Sequence, residues 1–378
     1  MNKGRVSTVP EKDELAGQWQ RVIRRRGFLQ GIGMASAALS PVMLMADSKK
    51  LKKGDVAILQ FLAAVELIES DLWQQYNELG GVNGGNPSYM AALQNMDGDM
   101  SQYISDNTDD ELSHAAFLNA YLMAHGEQPV ILDMFRTLPS SQAAGAQQIG
   151  RLTNLMNLTV DTSFYTRYRS ALNPDLGATF PQAVTIQNQP AIPLNNTDTP
   201  PNTPQPVPPT STPARRMQAI ANTAAFHFGY IEQGGSSLYP TLALQVTDVE
   251  VLRILLSIGG VEIDHFGLWH DKMGNAVAQP LAGVTDPETG VTFPDLNSPP
   301  NEAVQTNLIL PEPCAFLNAT SLPPCSIIRP TSSQLAGAVA TINSFIQDQL
   351  FLNQVPGFFQ AVMALAMAAD SAKREGSD

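Results

Sequence analysis

The chain has 378 residues, enough for one large domain or two modest ones, and its 43% apolar content can fill a sizeable core. A net charge of −13 disfavours non-specific binding to nucleic acid. Two cysteines, Cys314 and Cys325, are too few for a thiolate-bound iron–sulfur cluster within one chain; a disulfide between them and two free thiols are both open.

The N-terminus reads as a targeting segment rather than part of a fold. Arg24-Arg25-Arg26-Gly27-Phe28-Leu29-Gln30 precedes an apolar run from Gly31 to Ala46, too short for a secure membrane span. A polar leader, an arginine pair and Phe-Leu before small apolar residues resemble a twin-arginine export signal over residues 1–46. That resemblance implies passage through the twin-arginine machinery in an already folded state, and a periplasmic or secreted location. Leu44-Met45-Ala46 is a poor cleavage site, so an uncleaved anchor is the alternative. No later stretch is apolar and long enough to span a bilayer.

From Asp55 to Leu79 the period is helical, and Ile58, Leu62, Val65, Glu66, Glu69, Leu72, Trp73 and Tyr76 share one stripe. The next helix ends at Gly126. Its start lies either near Asp99 or at Thr108, where Glu111 would complete a capping box; Met100, Tyr103 and Ile104 continue the period and favour the earlier start. Glu111, His114, Ala115, Leu118, Leu122 and His125 form its inner stripe. A helix is expected between Gln147 and Arg169. Phe180 to Pro213 is rich in Pro, Asn, Thr and Gln; it is either a flexible linker or a crossover packed on the surface, and the second reading is preferred. Ala214 to about Tyr239 carries Ile231 and Glu232 on its inner side, and Pro240 should end it. Thr247-Asp-Val-Glu250 reads as a capping box for a helix that holds Glu262 and His265 and stops near Met273-Gly274. Residues 275–331 are Pro-rich, and two apolar helices are expected at about Ser333–Phe351 and Phe358–Ala372.

Four helices therefore present, in order, a Glu, a Glu-x-x-His, a Glu and a Glu-x-x-His, each on an apolar stripe. Residues i and i+3 lie on one face, so these charges point into a core where they must be compensated. Two cations close together repel, and bridging carboxylates lower that repulsion. Four Glu and two neutral His supply hard oxygen and borderline nitrogen donors, which suit two iron or two manganese ions better than a structural zinc. This ordering belongs to carboxylate-bridged dimetal bundles, whose single long crossover would fall between His114 and Glu232.

VELIESDLW, DDELSHAAFLNAYL, YIEQGGSSLYPTL and GGVEIDHFGLWH resemble the ferritin-like superfamily, in the branch that includes plant desiccation-related proteins. The resemblance implies an all-α four-helix bundle over residues 54–274 with one long crossover, a Pro-rich insertion at about 180–213 and extra helices. Residues 275–378 would form a Pro-rich loop and C-terminal helices packed on the bundle, or alternatively a partner-binding module. Metal ligands would be Glu66, Glu111, His114, Glu232, Glu262 and His265, with Glu69 the rival of Glu66. Dioxygen or hydrogen peroxide would be the substrate of an oxidase, ferroxidase or catalase-like centre; the alternative is a non-catalytic desiccation or stress protein. An oligomer is compatible with either. Of the remaining candidates, His125 is expected as a dipole partner at its helix end, His227 in the core, His270 and Asp264 at the surface, and Tyr121, Tyr230 and Tyr239 in packing roles.

Overall fold

The computed structural model describes residues 50–162, 184–198, 207–298 and 337–376. The twin-arginine-like segment, Cys314 and Cys325 lie outside these residues. Helices α1 (Lys53–Gly80), α2 (Pro87–Gln94), α3 (Met100–Ala124), α4 (Thr212–Ala243), α5 (Val249–Lys272), α6 (Ala338–Gln347) and α7 (Pro356–Asp370) dominate an all-α architecture. One two-stranded sheet, β1 (Leu158–Asp161) with β2 (Thr185–Gln189), joins them, antiparallel with Val160 opposite Ile186. None of the described helices is long and apolar enough to cross a membrane.

The core is two antiparallel helix pairs laid against each other. Helix α1 packs on α3, and α4 packs on α5. Trp73, Phe228 and Trp269 close the space between the pairs: Trp73 stacks on Trp269 at 5.4 Å and on Phe228 at 5.0 Å between ring centroids. Large aromatic rings bury the most area per residue, so this cluster fixes how the four helices meet. Polar latches set the ends. Both carboxylate oxygens of Asp55 in α1 accept backbone N–H bonds from Thr247 and Asp248, at 2.8 and 2.9 Å, where α5 begins. The cap of α5 is Asp248, which accepts from the Glu250 N–H, rather than the expected Thr247. Helix α3 starts at Met100, and Thr108 sits inside it, donating to the Ile104 and Trp73 carbonyls.

The C-terminal helices belong to the same unit as the bundle. Helix α7 packs on α1, α6 packs on α7, and Asp370 in α7 accepts from the first N–H groups of α6, at Ala338 and Val339. Residues 184–198 also pack on the bundle. Tyr89 donates to the Ala191 carbonyl, and buried Arg216 pairs with Asp198.

Two sequence expectations need correction. No helix forms from Gln147 to Thr162; the remainder of the expected helix lies outside the described residues. Buried Asp71 in α1 takes the N–H groups of Leu152 and Thr153 at 3.0 and 2.9 Å, and β1 pairs with β2. These bonds outcompete a local helical ladder. Second, α4 continues through Pro240 to Ala243. A proline inside a helix costs about 3 kcal/mol. Tyr239, Thr241 and Leu242 around it are all buried, and packing outweighs the lost bond.

Candidate metal centre

All six expected ligands converge. Glu66 comes from α1, Glu111 and His114 from α3, Glu232 from α4, and Glu262 and His265 from α5, and every one is buried. Their donor atoms form two overlapping sets, Glu66–Glu111–His114–Glu262 and Glu111–Glu232–Glu262–His265, each with its atoms within 4.8 Å of one another. Glu111 and Glu262 belong to both sets. His114 Nδ1 lies 3.4 Å from Glu66 Oε2, 3.3 Å from Glu111 Oε2 and 3.4 Å from Glu262 Oε1. His265 Nδ1 lies 3.1 Å from Glu111 Oε1 and 3.3 Å from Glu232 Oε2. A single ring N–H cannot satisfy three carboxylates. Two cations would.

The pattern of unpaired atoms points the same way. Glu66 Oε1 accepts from the Tyr239 hydroxyl, and Glu232 Oε1 accepts from Asn107 Nδ2 at 3.1 Å. The second oxygen of each, both oxygens of Glu262, and His265 Nδ1 are buried without a hydrogen bond. Buried polar atoms are ordinarily satisfied, so this cluster of orphans facing one space fits a bound metal. The outer contacts orient the donors. Asn107 also donates to Glu111 Oε1 at 2.9 Å and accepts from Trp269 Nε1 at 2.6 Å. Asp110 accepts from His265 Nε2 at 3.1 Å, which leaves Nδ1 as the donor atom toward the centre.

Electrostatics follow from that crowding. Burial, then the charge of Glu111, pushes the Glu66 carboxyl up to about 7. Burial and the Glu111 charge raise Glu262 well above the usual range, and burial raises Glu232 against the opposing pull of His265. Burial also pushes Glu111 upward, but His114, hydrogen-bonded to it, and the nearby His265 imidazole hold it below its ordinary value. Burial disfavours the charged form of both imidazoles, yet the surrounding carboxylates raise them strongly. With no ion present the cluster would hold protons; dications would displace them.

Small residues make room. A Cβ on Gly235 would fall 2.3 Å from Glu262 Oε2, and one on Gly259 would fall 2.7 Å from the Tyr239 Cβ. Gly234 and Gly260 have open space there. Glu69 is buried one turn from Glu66 but belongs to neither donor set.

The other expectations divide. His227 is buried in the core, His125 closes α3, and Asp264 is exposed. His270 is buried against Phe266 rather than at the surface, because α5 is covered on that side too. Tyr239 is a hydrogen-bond partner of Glu66 rather than a packing residue alone, since its hydroxyl reaches that carboxylate. Sequence reading missed Asn107 and Asp110. Asn107 stands four residues before Glu111 on the same face, a signal that was available. Asp110 serves a histidine on another helix, which spacing within α3 does not reveal.

A four-helix bundle that turns four carboxylates and two imidazoles onto one buried point defines a class of metal-centred proteins. The family profile described as "Ferritin-like domain" matches residues 54–275, and the chain belongs to that family. No curated protein and no solved structure matches the chain.

Proposed function

We propose that the chain holds two iron or two manganese ions and reacts with dioxygen or hydrogen peroxide, as an oxidase, ferroxidase or catalase-like protein. The observation that carries this reading is the sharing of Glu111 and Glu262 between the two donor sets. Shared carboxylates are what two adjacent dications require. The bound ions would supply redox and Lewis-acid chemistry toward the oxidant. The chain's own residues do the rest. Asn107 holds one oxygen of Glu232 and Tyr239 one oxygen of Glu66, which leaves the other oxygen of each free to hold an ion. Asp110 fixes the His265 tautomer. The arginine-rich leader supports export to the cell envelope, and the resemblance to desiccation-related proteins supports a stress-linked role.

Metal analysis of protein purified after native export tests the reading. Two equivalents of iron or manganese, lost in a Glu111→Ala/Glu262→Ala double variant, are expected. Metal-free protein of unchanged stability would favour a purely structural stress role instead. Joint replacement of Arg24, Arg25 and Arg26 by lysine should leave the chain in the cytoplasm.

A further inference from the structure

Beside the centre lies a continuous buried path of oxidisable rings. Asn107 donates to Glu111 and Glu232 and accepts from the Trp269 indole N–H at 2.6 Å. Trp269 stacks on Trp73 with the ring planes 18° apart. Trp73 meets Tyr76 at 5.6 Å between centroids, and the Tyr76 hydroxyl lies 2.7 Å from His227 Nδ1. On its far side His227 Nε2 lies 3.2 Å from Asp348 Oδ2. All of these side chains but Asn107 are essentially inaccessible to water.

Packing alone does not account for the far end. A Phe at position 76 would fill the same volume, whereas a buried hydroxyl, imidazole and carboxylate together cost desolvation. In one arrangement that satisfies the pairing, Tyr76 O–H donates to Nδ1 and Nε2–H donates to Asp348.

We propose that Trp269, Trp73 and Tyr76 carry oxidising equivalents out of the metal centre, and that they come to rest on Tyr76. The inference rests on the reading of the centre as a dimetal site that reacts with dioxygen or hydrogen peroxide, the oxidant that drives the step. Trp269 gives one electron toward the oxidised centre, Trp73 refills Trp269, and Tyr76 refills Trp73. Rings in van der Waals contact allow each transfer. The Tyr76 O–H bond breaks as the electron leaves, and its proton passes to His227 Nδ1. The resulting imidazolium is compensated by Asp348, so no unpaired charge is buried. In sum, Tyr76 loses one electron and one proton, the centre gains the electron, and His227 keeps the proton. Tyr239 is nearer but worse placed. Its hydroxyl proton faces Glu66, so oxidation there would protonate a ligand.

The test uses the full chain loaded with iron or manganese, its metal content measured, then mixed with hydrogen peroxide and frozen for electron paramagnetic resonance. A tyrosyl signal is expected that narrows with ring-deuterated tyrosine and is lost in Tyr76→Phe. In Trp269→Phe, with metal content unchanged, it should be strongly reduced. In His227→Asn, which removes the proton acceptor, the signal should also collapse, so the result does not hang on one variant's folding. Protein that binds metal and consumes peroxide, yet gives no tyrosyl signal or one untouched by Tyr76→Phe, overturns the relay alone. Protein that takes up no metal overturns the relay together with the dimetal reading, and the metal content identifies that case.

Discussion

Gly235→Ala separates the stability of the bundle from the integrity of its centre. Gly235 lies inside α4 with helical backbone, so alanine should gain about 1 kcal/mol of intrinsic helix propensity. The added Cβ would stand 2.3 Å from Glu262 Oε2, 3.1 Å from its Cδ and 3.4 Å from its Cγ. The carboxylate must then retreat by roughly 1 Å to reach ordinary contact. A flexible side-chain end can move that far without unfolding the protein, and the retreat offsets part of the propensity gain. Metal–ligand distances, however, tolerate only about 0.2 Å. Because Glu262 belongs to both donor sets, both ions should be affected. We expect a metal-free melting temperature at or slightly above that of the parent. Metal affinity should fall at least toward the upper end of the roughly 10–100-fold range seen when ligand support is removed. Gly234→Ala is the control, since its Cβ meets nothing within 4 Å, and it should bind metal normally. Chelator-competition titration with calorimetry of the metal-free proteins decides. If Gly235→Ala holds two ions with parental affinity, the claim that Glu262 is a shared ligand in this position fails.

Three further outcomes follow from the same geometry. The folded-state raising of Glu66 to about 7 means that ion-free protein binds more protons folded than unfolded above about pH 4.5. Its stability should therefore fall as pH rises from about 4.5 to 7, while metal loading releases protons and stabilises more at the higher pH; melting curves across that range, with and without metal, check the sign. Asp110→Ala removes the acceptor of His265 Nε2 and should weaken metal binding by about tenfold, with little change in melting temperature because Asp110 is half exposed. Arg216→Ala leaves Asp198 and Asp286 buried without their cation, and chemical denaturation should show a loss of roughly 3–5 kcal/mol. A loss below about 1 kcal/mol there would place those carboxylates in water.

The bundle and the convergence of the six side chains were legible because both depend on local periodicity. A Glu on an apolar helical stripe is costly unless compensated, and four such stripes in one order leave few arrangements. What the sequence hid depends on contacts between distant segments. Leu152, Leu155 and Met156 have helical spacing, but Asp71, 81 residues before Leu152, captures the backbone of Leu152 and Thr153. Pro240 looks like a stop until the burial of its neighbours is counted. Tyr239 and Asp110 bond to Glu66 and His265 on other helices. Their roles follow from how α4 lies beside α1 and α3 beside α5, not from any pattern in their own segments.

Glu69 is where charge balance decides a role that periodicity left open. Two dications would carry the charge that the four carboxylates of the proposed donor set cancel, with both imidazoles neutral. A fifth carboxylate ionised one turn from Glu66 would leave a net negative charge in a buried site. Burial, reinforced by the charges of Glu262, Glu111, Glu66 and Glu232, pushes Glu69 well above its ordinary range. Burial thus disfavours an ionised Glu69, and its neutral isostere should replace it. Glu69→Gln is expected to keep two ions and change stability by less than about 1 kcal/mol, the range of a volume-conserving swap. Glu66→Gln, which removes a charge from the donor set, should lose at least one ion. Metal counting on the two variants settles the pair: a Glu69→Gln protein that loses metal while Glu66→Gln retains it would reverse the assignment of this helix's ligand.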